Sequence, residues 1–517
     1  MNDRDAMDRR TLLQTTLAGL VGGRFALVGR AEAQEAPAEP FSFETVIQRA
    51  RDAAARPFER PLIELSEPFA DLTYDQFRGI RFRDEARMFT EGQGFQMDLM
   101  PPGFYYVDKV EVNIVSGGMT RPLEFSTDFF HFHPRYFPYP EGRAPDGLAE
   151  NHGFSGIRFR HPINRPAVWD EAVVFQGASY FRAVARDTLY GLSARGLAIG
   201  TAGPDPEEFP LFTAFWVEEP EPGARTLRLY ALLDGPSVSG AYAFAVTPGA
   251  ETVMEIDSRL FPRVDVATAG VAPLTSMYFF GPESRKGVDD FRDAVHDSHG
   301  LRMINGAGER LWRPLRNPTT VELSAFADEN PRSFGLIQRF RDFEHFQDAE
   351  ARYEQRPSAW VEPTAPWGRG AVMLAEIPTN DEFLDNIVTF WRPEEPLRAG
   401  SEHAYAYRLV WGQVPEEPLP LARVLATRSG MSILVETERV FVVDFDLGMI
   451  NFETVRPMVE AGAGEIKGVS VAPLPGANVA RVGFHLIPGE ATASELRLWL
   501  VSEGQVASET WLYRWSA

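Results

Sequence analysis

Apolar side chains recur at every second position in run after run of this chain. Val110, Val112 and Ile114 alternate with Glu111 and Asn113, and Leu227 and Leu229 flank Arg228. Tyr242, Phe244 and Val246 repeat the pattern, as do Val482, Phe484 and Leu486, then Leu496, Leu498 and Leu500. Successive side chains of an extended strand point to opposite faces, so this period predicts strands rather than helices. The 43 Gly and 40 Pro punctuate the runs as turns. Helical spacing is scarce: Phe43–Ala55 is the best candidate, with Tyr74–Ile80 and Val288–His296 as shorter ones. The expected class is mainly β, built as stacked antiparallel sheets.

A chain of 517 residues buries a large core and has room for two domains or three. Pro393 to Pro396, followed by Arg398-Ala-Gly400, reads as a stiff polar break. The alternating strands after it, residues 401–517, fit an immunoglobulin-like sandwich. Residues 40–395 are too many for one ordinary sandwich and predict an enlarged one. The net charge of -22 repels phosphate backbones and argues against nucleic-acid binding. The chain has no cysteine, which excludes disulfides, thiolate metal sites and a Cys nucleophile together.

Residues 1–33 read as an export signal. Arg9-Arg10 precedes Thr11-Leu-Leu13 and a weakly apolar run to Val28, and Ala31-Glu32-Ala33 offers a small-x-small cleavage site. The twin arginines suggest export in the folded state; an ordinary signal of the general secretory route, or a disordered leader, is the alternative. Arg24 and Arg30 interrupt the run, which is too short for a membrane anchor. The expected destination is the periplasm, with no membrane anchor once the signal is removed.

Aromatic and charged residues are densest between Phe326 and Trp391. Aromatic rings cover the apolar C–H faces of a sugar, while Arg, Asp and His bond its hydroxyls. Within this stretch Arg341, Asp342, His345 and Asp348 alternate with Phe343 and Phe346. The pattern fits a strand with one ligand-facing side and equally a structural salt-bridge ladder. Arg356, Trp360 and Trp391 are further candidate sugar contacts. Asp385 stands between apolar residues just before Thr389-Phe-Trp391; partial burial against an indole would raise its pKa, as a general acid requires. The bland reading is a turn aspartate bonding its own backbone. Tyr180 and Arg182 alternate across Phe181 and can share a face toward a cleft. His296-Asp297-Ser298-His299 holds possible metal ligands, but nothing nearby completes a tetrahedron, so no metal is expected. Phe129 to Tyr139 reads as an aromatic-packed loop, and Trp511 to Trp515 as a core strand. There is no Gly-rich phosphate loop, no GxSxG elbow and no HExxH, and no cofactor is implied.

Many separated motifs in one order are more specific than any of these alone. They are GASYFRAV at 177–184, YGLSARGLAI at 190–199, FTAFW at 212–216, YALLD at 230–234 and APLTSM at 272–277. HDS at 296–298, RPL-NP at 313–318, NP and FGL within 330–336, RPS-WVEP at 356–363 and LDNIV-FW at 384–391 follow. LARV-ATR at 421–428 and ETWLY at 509–513 close the series. In these the mature chain resembles the periplasmic osmoregulated-glucan biosynthesis proteins G and D; the signal is similar to that of the D type.

The resemblance implies a large N-terminal mutarotase-like β-sandwich, a C-terminal immunoglobulin-like domain and a long cleft for β-1,2-glucan. It implies an inverting endo-hydrolase, or a transglycosylase that closes rings through an α-1,6 bond. Its general acid would be Asp385 of the LDN motif. Its base would be Asp297 of the HDS motif, reached through a substrate hydroxyl and ordered water, with Tyr353 a cleft tyrosine. Between Arg428 and Val440 the chain is shorter than the D-type pattern, in which a longer loop reaches a partner subunit's cleft; this leaves open both a homodimer and the choice between water and sugar as nucleophile. A non-catalytic glucan-binding scaffold is the rival reading.

Overall fold

The computed structural model describes residues 38–517 except 91, 149–151, 286 and 415–420. The export signal proposed for residues 1–33 lies outside the described residues. Among them the architecture is mainly β, as the alternation predicts, and each of the runs named above forms a strand.

Two large sheets dominate. The first follows the order Glu39–Pro40, Met119–Pro122, Glu111–Ser116, Leu211–Glu218, Leu227–Asp234, Val238–Thr247, Thr252–Pro262 and His403–Gly412. It continues through Ser358–Pro363, Ser333–Ile337, Gly300–Ile304 and Arg310–Pro314 into the C-terminal strands Thr510–Ser516, Ala493–Ser502 and Val455–Ala461. The strand His403–Gly412 lies beyond the Pro393–Gly400 break, yet it pairs with Thr252–Pro262 and Ser358–Pro363. The second sheet runs from Glu322–Glu329 through Arg369–Glu376, Ile387–Pro393 and Ala269–Ser276 to Tyr180–Ala183 and Gln96–Met100.

Aromatic side chains from the two sheets meet between them. Phe175 and Phe181 of one sheet pack edge-on against Phe244 of the other at 5.3 and 5.6 Å. Edge contacts set the electropositive rim of one ring against the face of the next. A smaller core joins the four-stranded sheet of Arg423–Met431, Arg439–Asp446, Val479–Ile487 and Glu465–Pro473 to the C-terminal strands, around Phe441, Phe484 and Trp511. Arg339 packs within the smaller core: its guanidinium lies 3.5 Å over Trp312 and donates to Glu509 and to the Val424 carbonyl.

The helix Phe43–Ala54 forms where helical spacing predicts it, burying Val46, Ile47, Ala50 and Ala53 against Trp216 and Phe261. Tyr74–Arg78 is a short helix capped by Thr73. Val288–His296 is not helical. Its Arg292 is held by Asp290, Asp348 and Glu382, and Val295–His296 pairs instead with Tyr278–Phe280. Tertiary partners override the local spacing there. Arg341 to Asp348 is likewise neither strand nor ladder: Phe343–Phe346 is one helical turn that buries Phe346.

Candidate functional site

A groove with a cavity volume of about 960 Å³ opens beside the strand Tyr180–Ala183. The strand's period leaves Tyr180 and Arg182 partly exposed at the groove and buries Phe181 and Ala183. Arg195 sits opposite Tyr180 in the neighbouring strand and lies 4.7 Å over its ring. Glu207 accepts from Arg195 at 2.6 Å. Phe209, Tyr105 and Tyr106 add aromatic surface to the walls. Rings beside paired charges are the surface a neutral, hydroxyl-rich ligand needs.

Asp385 lies on this wall. Its side chain is 32% exposed, with the Arg182 guanidinium 4.0 Å away. Desolvation by the surrounding walls raises its pKa, against the opposing charges of Arg182 and Arg195. The loop that carries it is tied at both ends. Glu382 accepts from Arg292 at 2.7 Å and from the Tyr353 hydroxyl at 3.0 Å, and Asn386 bonds the main chain of Tyr278. Phe383 and Leu384 between them project outward.

Asp297 comes from the short pair of strands Tyr278–Phe280 and Val295–His296 and is 8% exposed. Its N–H donates to the Met277 carbonyl at 2.9 Å. Arg356 stands 3.7 Å from its carboxylate, too far for a hydrogen bond. Burial pushes the carboxyl up to about 6; Arg356 opposes this, and the negative charge of Asp385 adds to it. The charge of Asp385 therefore reaches Asp297. Tyr353 is buried behind them, its hydroxyl raised by burial and by the charges of Glu382 and Asp297. Arg356 also donates to the carbonyls of Tyr190 and Ala351.

The other candidate sugar contacts serve elsewhere. Trp391 is 0% exposed and packs on Trp367 in the main core, and Trp360 is buried in the smaller core with its indole N–H on Glu362. Neither presents a face to a ligand. Arg341 bonds the carbonyls of Glu354 and Arg356, and burial lowers its pKa to about 10. Asp348 is taken up by Arg292 and two main-chain N–H groups. His345 stacks on Phe340 at 3.6 Å, and burial lowers its pKa to about 4. Asp342 is exposed at the start of the helical turn. His296 is buried against Tyr278, and His299 faces Glu283. Among the described residues no group of three or more His, Asp or Glu is arranged to hold a metal ion.

Sequence reasoning missed Arg195, Glu207, Glu382 and Asn386. Arg195 stands in the alternating run Ser193-Ala-Arg195, the same signal that identified Tyr180 and Arg182. Glu207 and Glu382 carry no local signal, because their partners come from distant segments.

Fold and site together define a β-sandwich protein with a charged, aromatic-walled groove and two carboxyls raised by desolvation. The family described as periplasmic glucan biosynthesis protein, MdoG, matches residues 41–515. The chain belongs to that family. It is similar to the "Glucans biosynthesis protein G" of Vibrio cholerae O395, 45% identical over 480 residues covering 92% of this chain and 87% of the relative. The proteins of the same name from Shewanella frigidimarina and Rhodopseudomonas palustris BisA53 are each 44% identical. These alignments cover 92% and 93% of this chain and 85% and 95% of the relatives. The family description points to the periplasm, and among the described residues no helix is long and apolar enough to cross a membrane.

Proposed function

We propose that this chain acts on the β-1,2-glucan backbone in the periplasm as an inverting glycoside hydrolase or transglycosylase. The observation that carries the reading is the carboxylate pair: Asp385 and Asp297 sit on separate elements, each raised by desolvation, and the charge of Asp385 reaches Asp297. Asp385, as general acid, protonates the departing glycosidic oxygen. Asp297, as general base, takes the proton of the attacking hydroxyl through a substrate hydroxyl and ordered water. In hydrolysis that hydroxyl belongs to water. In ring closure it belongs to a glucosyl C6 of the same chain, and the product is α-1,6-linked. Inversion requires one carboxyl neutral and the other ionised; desolvation raises Asp385, and burial pushes Asp297 up to about 6. Export through the twin-arginine route belongs to the same reading.

A second reading, a non-catalytic scaffold for nascent glucan, is favoured by one observation: Asp297 is 8% exposed and does not line the groove that Asp385 lines. Incubating the purified protein with linear β-1,2-glucan and weighing the products decides between them. Shorter linear chains mean hydrolysis. A product lighter by one water than the linear chain of equal length means cyclisation. Unchanged glucan leaves the scaffold and removes the enzyme.

A further inference from the structure

Asp385 sits on a loop, and a loop aims an acid only if something holds it. Its neighbour Asn386 is buried and commits its whole side-chain amide to main chain. Its Oδ1 accepts from the Tyr278 N–H at 2.8 Å, and its Nδ2 donates to the carbonyls of Tyr278 and Ile377 at 3.0 Å each. The Ile377 N–H returns a bond to the Asn386 carbonyl at 2.9 Å. Tyr278 also belongs to the element that seats the other carboxylate. It pairs with His296, and the preceding carbonyl, that of Met277, accepts the Asp297 N–H. One amide thus ties the loop that carries Asp385 to the strand on which the Asp297 segment is paired.

We infer that Asn386 is a positioning residue that aims Asp385 by fixing the loop that carries it. This rests on reading Asp385 and Asp297 as acid and base. Only a short carboxamide both accepts and donates in one plane at this reach. Alanine leaves the Tyr278 N–H and two carbonyls without this partner, and aspartate turns a negative charge toward those carbonyls. A loop freed by about 1 Å costs about 100-fold in rate.

The test uses Asn386→Ala and Asn386→Ser on two substrates. One is linear β-1,2-glucan. The other is a β-1,2-glucooligosaccharide with a 2,4-dinitrophenyl leaving group, which departs without protonation. On glucan, kcat falls about 100-fold while KM stays within about threefold. On the activated substrate, kcat stays within about threefold of the parent. Placed in an Asp385→Asn background, Asn386→Ala removes nothing further, because both changes act on one group. Equal losses on both substrates, a further loss in the double variant, or an unchanged rate on glucan each overturns the inference. So does failure of both variants to fold, which assigns Asn386 a purely structural role. Full activity of Asp385→Asn removes the acid assignment itself; an inactive Asp385→Asn beside a fully active Asn386→Ala removes only the positioning role.

Discussion

Two buried aspartates on one chain are treated in opposite ways. Asp98, fully buried in the strand Gln96–Met100, accepts from Arg87 at 3.1 Å, Arg158 at 2.7 Å and Arg160 at 2.9 Å. Asp297 has one arginine, 3.7 Å away, and a second carboxylate within electrostatic reach. Burying a charge costs several kcal/mol unless donors surround it, so the first site is compensated and the second is left short. The difference teaches where this fold keeps its carboxylates for structure and where it leaves one ready to change protonation.

The largest expected effect separates the groove from the Asp98 cluster. Asp385→Asn lowers kcat on β-1,2-glucan about 1,000-fold or more with an unchanged melting temperature. A residual rate within tenfold of the parent would end its role as acid. Asp98→Asn should do the reverse, costing about 3–5 kcal/mol in urea denaturation at pH 7 by leaving three arginines facing a neutral group. A loss under about 1 kcal/mol would erase the contrast on which this comparison stands.

Asp297→Asn sharpens the contrast through its sign. The folded carboxyl titrates at about 6, above the unfolded value near 3.9. Between those values the native state holds the extra proton, so stability falls as pH rises from about 4 to about 6. At pH 7 the cost is complete, about 2–3 kcal/mol. Asp297→Asn therefore gains stability of that order at pH 7 and none at pH 4, while losing turnover. Equal stability changes at both pH values, measured by denaturant titration, would show that the carboxylate carries no such strain.

The smallest effect is on the pH profile. Activity should fall below about pH 6 as Asp297 takes up its proton. Arg356→Gln removes the opposing charge on Asp297 and moves the acidic limb of kcat/KM upward by about one unit. A limb that stays in place excludes Asp297 as the titrating base.

Period-two alternation of Tyr242, Phe244 and Val246 located the strand Val238–Thr247 without any tertiary information. It also placed Tyr180 and Arg182 on one side of their strand. The density of aromatic and charged residues misplaced Trp360 and Trp391, because both lie on strands and are buried in the cores. An aromatic beside charged residues in sequence then says nothing about which face meets solvent. The segment Arg341 to Asp348 misled for a related reason. Its alternation suits a strand, but His345 finds Phe340 by a helical turn and Arg341 turns inward to main-chain carbonyls.

The amino-acid order alone settled the β class, the first helix and membership in a glucan-biosynthesis family, because periodicity and ordered motifs are local and repeat many times. Tertiary structure alone decided which carboxylates share an environment. Asp297 and Asp385 are 88 positions apart in chain numbering, and their protonation depends on walls supplied by Arg182, Arg195 and Arg356. Desolvation and Coulomb forces act through space at a few ångströms, so no local pattern in the chain encodes them.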